Sequence, residues 1–165
     1  MSVTFYDYTV PTIQSALRTL KHILRKAEEH GDSQQLVKAR IIEDMRPLTF
    51  QVFDVCLMSD QIRAQLQGQE ELSLEDDMRS FDDFYKRIDR VSELVDKIDR
   101  DTFNAYAEKT VSVGGGLQMR GADMVRDMCM PHLWFHLTTA YDILRKEGIP
   151  VGKKDYVGAW VQRHV

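Results

Sequence analysis

No apolar run in these 165 residues reaches the roughly 18 positions that a membrane-spanning helix needs. There is no excess of basic charge either. Lys and Arg number 22 against 26 Asp and Glu, a formal net charge of -4 at pH 7. That balance argues against nucleic acid as the main partner, because phosphate binding needs a clustered basic face. Cysteine is scarce: Cys56 and Cys129 are the whole supply. Both fall in apolar helical patterns, so we expect reduced core thiols and no disulfide framework. The opening MSVTFYDYTVP has neither a basic start nor an apolar segment, so no signal peptide is expected and the cytoplasm is the expected location. Internal repeats, low-complexity segments, a dinucleotide fingerprint and a Ser-His-Asp frame are all missing.

What remains is an ordinary balance for a globular chain, with 43% hydrophobic and 29% charged residues. The length fits one domain, residues 1–165, with a real core. Its apolar residues recur at spacings of three and four, the period of amphipathic helices. Val10, Ile13, Leu17, Leu20 and Leu24 mark the first stripe, and Leu48, Val52, Val55, Cys56, Ile62 and Leu66 the second. Phe81, Phe84, Ile88, Val91 and Val95 mark a third. With the turn signals between them, these patterns predict long helices near residues 11–30, 47–67, 80–100 and 122–147. Pro11 opens the first, Asp32-Ser33 caps a short piece over 34–42, and 69–79 reads as an acidic surface connection. Thr110–Val113 and Leu117–Arg120 flank Gly114-Gly115-Gly116 and predict a β-hairpin with a plain glycine turn, since no phosphate-binding frame surrounds the glycines. The expected fold is all-α, a four-helix bundle with a short hairpin before the last long helix.

The most unusual stretch is MCMPHLWFHLTTAYDILR, Met128 to Arg145. It is apolar almost all round, which places a helix inside a bundle or against a partner. His132 and His136 are four residues apart, about 40° around a helix, with Val125, Cys129, Thr139, Ala140 and Ile143 on the same side. Both imidazoles are expected to point inward, and Pro131 is expected to kink the helix near Asp127. Trp134 and Tyr141 lie opposite. They need a second surface, either a homodimer partner or the tail Val151–Val165.

Three stretches carry a family resemblance: FYDYTVPTIQSALRTLKHIL at the start, DMRPLTFQV at the second long helix, and FHLTTAYDILRKEGIPVGKKDYVG near the end. The chain resembles the DinB/YfiT-like four-helix bundle superfamily over nearly its whole length, and more closely a branch catalogued as a domain of unknown function. The resemblance implies an up-down-down-up or similar bundle, often a homodimer. It also implies a possible metal site of three histidines, one on the second helix and two on the fourth. This chain keeps a pair on the fourth helix but has no histidine between Asp44 and Gly68. Gln51, Asp54, Cys56 and Asp60 are the side chains there with donor atoms.

Two readings of the pair stay open. Imidazoles at i and i+4 can close on a divalent ion such as zinc or nickel, with His132, His136 and Asp60 as the ligand set. Alternatively they are core histidines bonded to buried partners, with no cofactor. The lack of the glutamate that H-E-x-x-H would supply favours the second. Without metal, His136 and His132 are the acid–base candidates, with Gln51, Cys129, Thr139 and Tyr141 as ligand-binding neighbours. Met124, Met128, Met130, Trp134 and Phe135 suit either an apolar pocket or core and dimer surface. The expected partner is a fairly apolar small molecule, with no membrane and no nucleic acid. The expected function is an enzyme with a cavity around His136. The alternative is a non-catalytic bundle that dimerises through the fourth helix.

Overall fold

The computed structural model describes residues 2–113 and 116–163. Four long helical segments form the bundle: α1 (Phe5–His30), α3 (Leu48–Gln67), α4 (Phe81–Val95) and α7 (Met130–Lys146). The shorter helices are α2 (Ser33–Lys38), α5 (Arg100–Ala107), α6 (Gly121–Met124) and α8 (Lys153–Gln162). A hairpin of β1 (Thr110–Val113) and β2 (Leu117–Arg120) precedes α6, pairing antiparallel with Val111 opposite Met119. Around the bundle the order is α1, α4, α3, α7, with α3 and α7 the most intimate pair. Each helix buries its period-3.6 stripe. Ile13, Leu17, Leu20 and Leu24 meet Phe84, Ile88 and Val91, Val52, Val55 and Ile62, and Leu133, Leu137 and Leu144 in one core. No described helix is long and apolar enough to cross a membrane.

The departures from expectation have local causes. Helix α1 starts at Phe5, and Pro11 lies inside it. The start signal is Thr4 with Asp7, whose carboxylate accepts from the Thr4 N–H at 2.9 Å and its hydroxyl at 2.8 Å. The third expected helix ends at Val95, and the chain restarts as α5 because Asp99 caps a new turn through the Thr102 N–H at 2.8 Å. Gly114 and Gly115 of the expected glycine turn lie outside the described residues; Gly116 has φ +79°, a conformation only glycine takes readily. The last long helix is interrupted where the kink was expected, by a π turn over Val125–Cys129, and Pro131 then sits in the first turn of α7.

Trp134 and Tyr141 are covered by the tail. Trp160 of α8 packs on Trp134 at 5.5 Å between ring centroids, and Tyr156 meets Tyr141 edge-on at 5.7 Å. The Tyr156 hydroxyl shares a hydrogen bond with Thr138 at 2.9 Å. Asp155 accepts from Lys26 at 3.1 Å and pairs with His22 at 2.8 Å, which ties α8 to α1. The tail thus answers the need that motivated a dimer. Trp160→Ala is expected to cost about 2 kcal/mol, below the roughly 3–5 kcal/mol of a fully buried tryptophan, because Trp160 is only partly buried. Thermal unfolding checks this; an unchanged melting temperature would mean that α8 does not dock here.

Candidate functional site

The seam between α3 and α7 carries the polar groups. His136 enters it from α7, and Gln51 and Asp54 from the first turns of α3. The Gln51 amide is oriented by its Nε2, which donates to the Arg46 carbonyl at 2.9 Å. Its Oε1 therefore faces His136 Nδ1 at 2.7 Å. An amide oxygen can only accept, so Nδ1 carries the hydrogen and Nε2 presents its lone pair when the ring is neutral. Opposite Nε2, at 3.2 Å, lies Asp54 Oδ2. That oxygen is buried and has no well-directed hydrogen bond among the described residues.

Two acceptors facing each other leave a place for one proton between them. Burial is the largest influence on both groups. It raises the Asp54 pKa above 3.8, against the pull of His136 and His132. It lowers the His136 pKa below 6.5, against the pull of Asp54. Both shifts are toward the neutral forms, so burial works against charge on either member of the pair. The rim is aromatic. Phe50 and Phe135 meet the His136 ring edge-on at 5.7 and 5.1 Å, and Phe53 packs on Phe50 at 5.8 Å. Phe135 is 56% exposed, and the Arg46 guanidinium lies 4.3 Å over the Phe50 ring. The result is a half-open apolar patch with one acid–base pair beneath it.

Of the residues singled out in the sequence, Gln51 and His136 come together here. His132 does not share the buried face. It is exposed, and its ring stands 6.3 Å from that of His136 between centroids. The buried side of α7 takes in Leu133, Leu137 and Leu144 beside the expected Thr139, Ala140 and Ile143, so its centre lies away from the histidines and both imidazoles fall on its flank. Asp60 lies six residues, about 9 Å, further along α3 than Asp54. Its Oδ1 accepts from Arg63 Nε at 2.7 Å and its Oδ2 from the Leu72 N–H at 2.6 Å. Cys129 is buried, with its Sγ 3.7 Å from Gln61 Oε1 and burial holding its thiol up at about 12. Cys56 is likewise free, buried and held at about 12. Thr139 donates to its own helix at the Phe135 carbonyl, 2.7 Å. Tyr141 belongs to the α8 contact. Phe50 and Arg46 went unnoticed because one aromatic on a helix carries no signal of its own.

The donor set does not fit the metal that the resemblance implied. Among the described residues no group of three His, Cys, Asp or Glu side chains is placed to hold an ion. Gln51 Oε1 is occupied by an N–H, Asp60 by Arg63, and His132 stands apart. Two donors, Asp54 Oδ2 and His136 Nε2, fall short of the three protein ligands that zinc sites use.

The family profile described as "Domain of unknown function (DUF1993)" matches residues 5–157. A crystal structure of a DinB family member protein from Shewanella denitrificans aligns with 92% of this chain and 90% of its own, at 30% sequence identity and a TM-score of 0.85. No curated protein matches the chain.

Proposed function

Since the chain belongs to the DUF1993 family of DinB-like bundles, a scaffold that fixes no chemistry by itself, we propose from the site that it binds a fairly apolar small molecule over the Asp54–His136 pair. The observation that carries this reading is the buried, unbonded Oδ2 of Asp54 facing His136 Nε2 at 3.2 Å. A buried acceptor left without a hydrogen bond costs about 1–3 kcal/mol, and such strain concentrates where a ligand or a proton completes the bonding. Phe50, Phe53 and Phe135 supply the apolar contact. The pair supplies acid–base chemistry, with His136 giving or taking the proton at Nε2 and Gln51 holding the ring. A hydroxyl, thiol or amide placed above the pair is the group it would handle.

The test is a panel of phenols, aryl amides and short alcohols, read by the NMR shifts of the His136 imidazole. Saturable shifts at His136 in the parent are the expected result, with binding measured by calorimetry lost in His136→Ala while the helical circular-dichroism spectrum stays intact. Hits that leave His136 unmoved, or a His136→Ala protein that binds as well as the parent, would return the histidine to a structural role.

The exposed Phe135 supports a second reading, a non-catalytic bundle that dimerises through α7 and seals the pair at the interface. Sedimentation decides it: a dimer mass that Phe135→Glu converts to a monomer favours assembly.

A further inference from the structure

A cleft of about 530 Å³ opens on the other flank of the bundle, where the end of α2 and the start of α3 meet Met78 and Arg79. Its volume is that of a small-molecule site. The chain as a whole is acidic, yet no Asp or Glu lines this cleft, and three cations do: Lys38, Arg40 and Arg79. Nearby basic residues are already neutralised. Arg46 pairs with Asp76 at 3.1 Å, and Arg87 with Asp77 at 2.9 Å. The three at the cleft are not. Among the described residues the Lys38 ammonium has no hydrogen bond or ion pair. The guanidinium groups of Arg40 and Arg79 donate only to backbone carbonyls, those of Glu43 at 3.0 Å and of Met78 at 2.9 Å and Asp76 at 3.4 Å.

The start of α3 adds to this field. Helix α3 is 20 residues long, its cap residue is Pro47, and its first turn has no side-chain cap and no acidic residue. No acidic side chain of its own first turn compensates its positive end. The Leu48 N–H bonds the Ala39 carbonyl at 2.8 Å, and those of Phe50 and Gln51 return to Pro47, which leaves the Thr49 N–H open among the described residues. The Thr49 side chain lines the cleft, is 8% exposed and has no hydrogen-bond partner among the described residues. Val37 and Met78, both buried, provide an apolar wall.

We propose that this cleft binds a small organic oxyanion, a phosphate or carboxylate head on a compact apolar body, with Lys38, Arg40 and Arg79 around the head and the Thr49 N–H and hydroxyl beneath it. Cations without acidic partners, an uncapped helix start and an unpartnered hydroxyl on a nearly buried residue are the three things such a head needs, and each stands on its own residues. The site is separate from the Asp54–His136 pair. Thr49 and Asp54 are five residues apart, about 140° around α3.

Phenyl phosphate, benzoate and inorganic phosphate are titrated into the protein, with phenol as the uncharged control, and read by calorimetry and by the Thr49 amide shift. Saturable binding of phenyl phosphate or benzoate, weakened by salt, and none of phenol is expected; which of the two binds tighter identifies the head group. Lys38→Gln and Arg79→Gln should each weaken binding about tenfold, and Thr49→Val should weaken it without loss of stability. Lys109→Gln removes the same charge beside the hairpin and should change nothing. Lys38 is exposed, so its variant folds in any case. No saturable shift at Thr49 up to about 10 mM of any probe, or binding unchanged in Lys38→Gln and Arg79→Gln, would overturn the proposal. Inorganic phosphate binding alone, indifferent to Thr49→Val, would reduce it to a counterion effect and overturn it as well.

Discussion

Arg63→Met is expected to lower the unfolding free energy by about 3–5 kcal/mol, or roughly 10 °C in melting temperature for a chain of this size. Both members of the pair it breaks are buried, with side chains 6% exposed for Arg63 and 1% for Asp60. The guanidinium does more than neutralise Asp60. Its Nη1 donates to Gln69 Oε1 at 2.7 Å and its Nη2 to the Glu70 carbonyl at 2.9 Å. Asp60 in turn accepts the Leu72 N–H. The pair thus pins the irregular connection after α3 to the helix it has just left. Methionine matches the stem of arginine but leaves a buried carboxylate uncompensated, and that residue, not the lost attraction, dominates the cost. The double variant Asp60→Leu/Arg63→Met removes both charges and should recover much of the loss, giving a large coupling energy in a double-mutant cycle. Denaturant unfolding of the four proteins measures it. A single-variant cost under about 1 kcal/mol would show that the pair is wetter than its burial implies.

This pair also explains one limit of the sequence reading. Asp60 was a reasonable metal candidate as a carboxylate on the apolar α3. Its partner three residues on, Arg63, was equally visible, and an i, i+3 pair inside an apolar stripe points to a structural bond. The bundle itself was legible because four long stripes at period 3.6 leave few alternatives, and because Gly31, Gly68 and Gly148 mark helix ends. Gly68 and Gly148 have φ of +61° and +81°. The orientation of α7 was only half legible. Counting 100° per residue correctly buries Val125, Cys129, Thr139, Ala140 and Ile143, but it misses that the buried side extends to Leu133, Leu137 and Leu144, which leaves His132 exposed. Three leucines carry more apolar surface than two imidazoles, so the buried arc extends to Leu133, Leu137 and Leu144 and the histidines are left at its edge. Asp54 was visible only as one of several donors on α3. What distinguishes it, an unbonded oxygen opposite a histidine whose other nitrogen is committed, exists only in three dimensions.

Asp54→Asn should therefore separate stability from function at the site. At pH 7 it is expected to raise stability by about 1 kcal/mol, roughly 2–4 °C, while abolishing the His136 shifts that a bound molecule produces. The asparagine amide can donate to the lone pair of Nε2 that the carboxylate faces without a directed bond, and it carries no charge to desolvate. The dependence on pH has a definite sign. Burial raises the Asp54 pKa above 3.8. Its contribution to stability is therefore complete below about pH 4 and is lost as the pH rises through the folded value. Burial lowers the His136 pKa below 6.5. Its contribution is present above about pH 6.5 and is lost as the pH falls through its folded value. The histidine remains in Asp54→Asn, so the variant's advantage over the parent should be small near pH 4 and grow toward neutrality. His136→Ala should behave differently. It leaves Gln51 Oε1 and Asp54 without their partner, so stability falls along with binding while the helix content persists. Chemical denaturation of both variants from pH 4 to pH 8, beside the parent, gives the curves. An Asp54→Asn protein that is less stable than the parent at every pH, or one that keeps full ligand shifts at His136, would show that the carboxylate is a satisfied structural group and not the acid–base partner of the histidine.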